Sequence, residues 1–321
     1  MPKYVFGPVP SRRLGTSLGI NNVPYKHCTY SCIYCQLGRT SVLTIKRKAF
    51  FKWDDIVAEV VKAADSYEGK IDYATLVPDG EPTLDLNVGK IIVGVKEAGL
   101  RVAVLTNGSL LWDEGVREDL MDADLVSLKV DASTEEVFRV INRPYKSLRL
   151  GSVLEGMKLF RNEFRGDVIT ETMLIDGVND FGEGIKGIAG IVKSLEPRKA
   201  YVAVPTRPPA EPWVKPAPEK RVVAAYVEFS GVLGEGRVEL LIRPEEGFFG
   251  TAGAGDPIEG LLNIVAVHPL RIEYAEEILS REGLEPSKVL RGLELEGRVA
   301  FIDYMGSRYV TLPTHVARPK A

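Results

Sequence analysis

Cysteine is scarce: the 321 residues contain three, all inside eight consecutive positions, at Cys28, Cys32 and Cys35. An odd, clustered set is a poor disulfide framework, and in a cytosolic chain such clustering points first to metal or redox chemistry. Long apolar runs are lacking too. No stretch approaches the roughly 18 apolar residues of a membrane span, and Leu261–Val267 is a core segment at most. Met1–Pro10 has no apolar signal region, so a cytoplasmic chain with no membrane partner is expected. Glutamine occurs once, at Gln36. That avoidance, beside plentiful Glu, Lys and Arg, fits a thermophile and says nothing of function.

Acidic residues are missing from the first 53 positions, which hold nine Lys or Arg, although the whole chain carries −3. A basic surface beside the cysteines suits an acidic electron donor such as a flavodoxin or ferredoxin, or a nucleic acid. A solvated loop face would read the same way.

What is present is ordinary in amount, with 45% hydrophobic and 26% charged residues. The length suggests about two domains. From about residue 70, β-branched runs alternate with helical patterns, which indicates βα units and a parallel sheet. Strands are predicted at Ser17–Asn21, Ile71–Val77, Arg101–Thr106, Leu125–Val130, Val168–Leu174 and Ala200–Pro205. Ile56, Val57, Val60, Val61 and Ala64 share one face of an intervening helix, as do Val88, Ile91, Ile92 and Val95 of the next. Six units make an α/β fold of the partial (β/α)6 TIM type, with chemistry expected at the C-terminal strand ends.

The proline-rich segment from Pro205 to Pro218 cannot be regular structure and reads as a rigid connection out of the barrel. A short strand (Arg237–Ile242) and a Gly-rich loop (Gly247–Gly255) follow. Three helical segments and a hairpin then suggest a winged-helix-like α+β module. The expected division is a barrel over residues 1–230, a linker over 231–255 and the module over 256–321. The module holds eight Lys or Arg against ten Asp or Glu, so docking or lid duty competes with nucleic-acid reading.

The octet Cys28-Thr29-Tyr30-Ser31-Cys32-Ile33-Tyr34-Cys35 has C-x3-C-x2-C spacing. Thiolates are soft ligands suited to iron–sulfur clusters. Three of them on a four-iron cube leave one iron open, which is where a metal takes a ligand. Zinc competes, but His27 is adjacent to Cys28, and His268 and His315 are remote in sequence.

This octet, with Tyr34 before the third cysteine, resembles the signature of the radical S-adenosylmethionine (SAM) superfamily. The resemblance implies a [4Fe–4S] cluster on Cys28, Cys32 and Cys35. It further implies that SAM chelates the open iron and is cleaved reductively to methionine and a 5′-deoxyadenosyl radical, which abstracts a substrate hydrogen. Pro78-Asp79-Gly80-Glu81-Pro82 resembles the family's Gly-Gly-Glu motif, with Asp79 replacing the first glycine. Gly80 would let the backbone approach a ligand, and Glu81 would accept hydrogen bonds from the SAM ammonium. By the same resemblance Tyr34, Thr106 and Asn107 (of Thr106-Asn107-Gly108), Ser127, Lys129, Asp131 and Thr172 are candidate SAM contacts. Ser127, Lys129 and Asp131 alternate on one strand and so share a face, as do Thr170 and Thr172 on the next.

Gly7-Pro8-Val9-Pro10-Ser11-Arg12-Arg13-Leu14-Gly15, Gln36-Leu37-Gly38, Asn142-Arg143-Pro144 and Pro205-Thr206-Arg207-Pro208-Pro209 look like a little-characterised group of iron–sulfur oxidoreductases. That group is similar to the radical SAM enzymes of tRNA wybutosine synthesis. Those enzymes carry a second cluster, for which this chain has no cysteines. Arg12, Arg13, Arg143 and Arg207 are candidates for binding an anionic substrate, RNA among the classes considered, because guanidinium forks match carboxylate and phosphate. The competing reading is an iron–sulfur winged-helix protein that senses redox state on nucleic acid without catalysis.

Overall fold

The computed structural model describes residues 4–243, 245–251 and 254–315. Three positions of the expected linker (244, 252 and 253) and residues 316–321 of the expected module lie outside the described residues. An antiparallel hairpin, β1 (Val5–Ser11) and β2 (Gly15–Ile20), opens the chain. A long loop follows, holding the two-residue strands β3 (His27–Cys28) and β4 (Val42–Leu43). Next come α1 (Trp53–Asp65), β5 (Tyr73–Leu76), α2 (Val88–Glu97), β6 (Val102–Thr106), α3 (Glu114–Leu120) and β7 (Leu125–Lys129). Two helices, α4 (Glu135–Ile141) and α5 (Leu150–Glu163), lead to β8 (Asp167–Met173), α6 (Gly182–Ser194) and β9 (Lys199–Ala203). After α7 (Glu219–Leu233) and β10 (Val238–Leu241) come α8 (Pro257–Val267), β11 (Leu270–Arg271), α9 (Ile272–Arg281) and α10 (Pro286–Leu295). The hairpin β12 (Ala300–Tyr304) and β13 (Ser307–Thr311) closes the order.

The main sheet runs β1-β2-β5-β6-β7-β8-β9-β10 and curls into a half-barrel. Only β1 pairs antiparallel; β2 to β10 are parallel throughout. All six strands expected from sequence are present, and two more extend the sheet. The strand foreseen near residue 240 is not linker but β10, paired in register with β9. The other addition, β1, carries Pro8 and Pro10, which lack ladder donors. An edge strand tolerates them; the pairing shifts register between Phe6 and Val9, around Pro8, while Pro10 stays in register with Thr16.

The helices cover the outer face through the apolar stripes their sequences show. Ile56, Val60 and Ala63 of α1 and Val88, Ile91, Ile92 and Val95 of α2 are buried against the sheet. Asp54 and Asp55 at the start of α1, and Lys62 near its end, suit the helix dipole. Inside the curl, Tyr73, Ala103, Leu125, Ile169, Tyr201 and Leu241 form a separate apolar layer, contributed by successive strands. Most of it lies toward the strands' N-terminal side, whereas polar Thr106 and Lys129 end β6 and β7.

The C-terminal module has its own core from α8, α9 and α10, into which Phe6, Val9 and Phe249 also pack. Its small sheet has the order β11-β13-β12. Side chains bolt it to the barrel mouth: Tyr304 Oη donates to Pro205 O (3.0 Å) and Tyr309 Oη to Thr206 O (2.9 Å). Gln36 Nε2 donates to Val267 O at 2.8 Å. Among the described residues no helix is long and apolar enough to cross a membrane.

Candidate functional site

The loop between β2 and α1 carries the cysteines across the C-terminal ends of the strands. Several backbone bonds seat it. Ile33, fully buried, donates its N–H to Ile141 O (3.0 Å), Ser31 N donates to Asn142 O (3.0 Å), and Thr29 O accepts from Tyr145 N (2.8 Å). Gly80 seats the other side. A Cβ there would fall 1.8 Å from His27 O, and Glu81 N donates to that same carbonyl at 3.0 Å. The close approach that glycine was expected to grant a ligand is therefore used by the cysteine loop itself.

All three cysteines are free, partly buried, and line one cavity of about 280 Å³. Each thiol faces a nitrogen donor: Lys26 Nζ lies 3.2 Å from Cys35 Sγ, Asn142 Nδ2 3.6 Å from Cys32 Sγ, and Asn107 Nδ2 3.8 Å from Cys28 Sγ. Burial, reinforced by Glu81, pushes the Cys28 thiol up to about 12. Burial and Asp131 push Cys32 to about 11, so taking up a metal there expels protons. Among the described residues no three His, Cys, Asp or Glu groups close on a single ion. Soft thiolates spaced around a cavity, each with a nitrogen donor, fit a cluster better than one tetrahedral zinc.

Lys26 reaches its thiol from a left-handed backbone conformation (φ 55°), an unfavourable one for a residue with a long side chain. Its amide donates to Asp79 O at 2.9 Å. Asp79 in turn exchanges two bonds with Asn21, its amide with Oδ1 (3.2 Å) and its Oδ2 with Nδ2 (2.8 Å). The residue that replaces the motif's first glycine thus ties β2, the exit of β5 and Lys26 together. Burial raises its carboxyl to about 6, against the opposing bond from Asn21 and the charge of Lys26.

Glu81 is buried and already well supplied. Its Oε1 accepts from Thr83 Oγ1 (2.6 Å) and Thr106 Oγ1 (2.5 Å), and its Oε2 from Asn107 N (2.9 Å). Burial raises its pKa against those bonds. The cavity that holds the cysteines is also lined by Tyr34, Gly80, Glu81, Thr106, Asn107, Ser127 and Lys129, all expected from sequence.

Asp131 and Thr172 do not line it. Asp131 stands behind Tyr34, accepting its hydroxyl, Asn142 Nδ2 (2.9 Å) and Met173 N (2.8 Å). Thr172 points to the other face of β8 and donates to Val130 O at 2.7 Å. β8 supplies the cavity with Met173 and, as its charged residue there, Glu171, which sequence reasoning missed. It accepts from Lys129 Nζ at 2.8 Å and is paired with Arg13. Although burial works against ionisation, the Arg13 and Lys129 charges bring its carboxyl down to about 2.

Of the four candidate arginines, three gather. Arg12, Arg13 and Arg207 line a second chamber of about 180 Å³ that shares Arg13, Tyr34, Gln36, Glu171 and Met173 with the first. Arg143 lines neither cavity and, with Arg39, holds Glu211. In its motif the neighbour matters more: Asn142 contacts both Cys32 and Asp131.

Residues 22–183 match the family model described as the Radical SAM superfamily. A UPF0026 protein of Methanocaldococcus jannaschii is 40% identical over 302 residues, 94% of this chain and 93% of that relative. A UPF0026 protein of Helicobacter pylori is 33% identical over 210 residues, 64% of this chain and 68% of the relative. Among solved structures, a radical SAM methyltransferase from Sphaerobacter thermophilus aligns with TM-score 0.53 at 15% identity, covering 72% of this chain and 67% of that one. Streptococcus suis SuiB bound to S-adenosylmethionine aligns with TM-score 0.51 at 13% identity, covering 70% of this chain and 49% of that one. At such identities the structures speak for the half-barrel fold alone.

Proposed function

This chain belongs to the radical SAM superfamily, and from that premise we propose that it cleaves SAM reductively to draw hydrogen from an anionic substrate. Its cofactors are a [4Fe–4S] cluster and SAM. When bound, they supply a 5′-deoxyadenosyl radical, and the protein's part is to hold, orient and exclude water. Cys28, Cys32 and Cys35 are the residues to hold the cluster. Lys26, Asn107 and Asn142 are the donors to their sulfurs.

For SAM, Glu81 offers a carboxylate to the ammonium, and Ser127, Asn107 and Thr106 offer neutral polar contacts. Tyr34 is fixed by Asp131 and lies beneath the Lys129 ammonium, 4.9 Å from its ring centroid. The ring is thereby held at the junction of the two chambers. Arg12, Arg13 and Arg207 line the next chamber, where charge favours an anion.

Electrons must reach the cluster from outside. The side of the cysteine loop suited to this is β4, whose exposed Val42 and Leu43 pair directly with His27 and Cys28. Exposed Arg39, Lys46, Lys48 and Lys52 flank it in the chain, and a basic surface there would match an acidic flavodoxin or ferredoxin.

The observation that carries this reading is one cavity, lined by three thiols, each with a nitrogen donor, opening into an arginine-lined chamber. The test is anaerobic reconstitution with iron and sulfide, then dithionite and SAM, with 5′-deoxyadenosine scored by mass spectrometry. Product is expected from the wild type, none from Cys32→Ala and less from Glu81→Ala. A fully loaded cluster that yields no product would defeat the proposal.

A further inference from the structure

The second chamber lies between the β1–β2 turn, the exit of β9 and the C-terminal module. Its charges do not balance locally. Arg12 and Arg207 share one carboxylate, Arg12 Nη2 standing 3.2 Å from Glu245 Oε1 while Arg207 pairs with Oε2. Among the described residues the other carboxylate lining the chamber is Glu171. Arg207 also donates to Gln36 Oε1 (2.8 Å), and its Nη2 is 2.6 Å from His268 Nε2. His268 is neutral, since burial and the Arg207 charge push it down to about 3. Glu171 cannot serve as the missing counter-charge, because it already holds both Arg13 and Lys129, whose remaining partner is Asp131.

Arg12 adds a geometric sign. Its Nε is buried and has no hydrogen-bond partner. Val9, Val77, Val204 and Val267 supply apolar walls, which screen charge poorly. The chamber therefore lacks one negative charge beside Arg12 and Arg207, and Arg12 Nε lacks an acceptor although Nη1 of the same guanidinium donates to Arg243 O.

We propose that this chamber is a subsite for one small organic oxyanion, a carboxylate or a phosphate monoester, belonging to the substrate. Its volume, about 180 Å³, is that of roughly six waters of the liquid. The bolts from Tyr304, Tyr309 and Gln36 close the mouth on the module side. A compact molecule fits where a folded RNA does not. Naming the anion as substrate rests on the radical SAM reading; the anion site itself does not.

The experiment uses the anaerobic holoenzyme with cluster and SAM. Its thermal midpoint is followed against inorganic phosphate, against succinate and against a short single-stranded RNA, at ionic strength matched with potassium chloride. Phosphate or succinate is expected to raise the midpoint saturably. The larger effect of the two identifies phosphate monoester or carboxylate as the preferred group. Arg12→Gln, whose side chain is partly exposed and tolerates change, should abolish the saturable part. Glu245→Gln removes the internal competitor and should lower the half-saturating concentration by about fivefold or more.

Saturable stabilisation by RNA alone, by none of the three, or equally in Arg12→Gln would overturn the proposal. If Glu245→Gln does not fold, the Arg12→Gln comparison decides alone. Formation of 5′-deoxyadenosine is scored in the same preparations. Product without an anion response defeats only the subsite, and an anion response without product defeats only the radical reading.

Discussion

Lys129 and Glu171 are register partners on the adjacent parallel strands β7 and β8, and their side chains meet at 2.8 Å on the concave face of the barrel. Arg13, from the β1–β2 turn, closes on the same carboxylate. One glutamate thus joins the first hairpin to the barrel's centre, between the cysteine cavity and the arginine chamber.

Removing that carboxylate leaves two cations facing each other. Glu171→Gln is expected to cost about 3 kcal/mol, the low end for breaking a buried pair, because Arg13 is 21% exposed and can turn to water. Urea unfolding measures it. Adding Lys129→Met should recover part of the loss, whereas an additive second loss would mean that the two side chains are not coupled.

Acid should act on the two chamber glutamates in a defined window. Burial opposes ionisation at Glu171 and Glu245, yet neighbouring cations hold both at about 2, below the ordinary glutamate value of about 4.3. Their contribution to stability is therefore full above that value and is lost as pH falls toward 2. Asp79 behaves oppositely. Its folded value, raised by burial to about 6, makes stability fall as pH rises from about 4 through 6. Urea midpoints across pH, compared with Asp79→Asn, should diverge only on that upper limb; parallel curves would contradict it.

Lys26 is 2% exposed as a residue, and its ammonium lies 3.2 Å from Cys35 Sγ. A buried positive charge at a ligand sulfur favours the reduced cluster, since net charge and hydrogen bonds to sulfur set the potential. Lys26→Met is expected to shift the midpoint, read by an EPR-monitored redox titration, to more negative values. A tenfold drop in the reduced-to-oxidised ratio corresponds to about 59 mV for one electron. Lys26→Arg should keep most of the wild-type value, while an unchanged midpoint in Lys26→Met would assign Lys26 to loop structure alone.

Gly80→Ala puts a carbon 1.8 Å from His27 O, and the backbone of the cysteine loop must move. The expected cost is about 1–3 kcal/mol, that of overpacking, together with reduced iron per chain after reconstitution. Gly99→Ala is a useful contrast: nothing lies within 4 Å of its Cβ position, and only its left-handed φ of 84° resists the change.

How much of this was legible in the sequence follows the distance over which each feature is encoded. The cysteine set is local, so its spacing alone points to a cluster. Its three donors lie 9, 79 and 110 residues from their sulfurs, beyond any local pattern. Strand parity shows the same limit. Alternation puts Ser127, Lys129 and Asp131 on one face, of which Ser127 and Lys129 line the cavity, but on β8 it singles out Thr170 and Thr172 where Glu171 faces inward. β8 is covered on both faces, so apolar alternation does not reveal which residues face in. The one available signal was electrostatic, since the inward Lys129 needs a carboxylate on the neighbouring strand.

Gln36 follows Cys35 directly in the chain, and both ends of its amide are taken, one by Val267 and the other by Arg207. The metal-binding loop and the wall of the arginine chamber therefore share a single side chain. A shift of Cys35 on cluster uptake passes one residue along to that wall. A screen for chamber ligands therefore belongs on the cluster-loaded protein, where both ends of that link are in place.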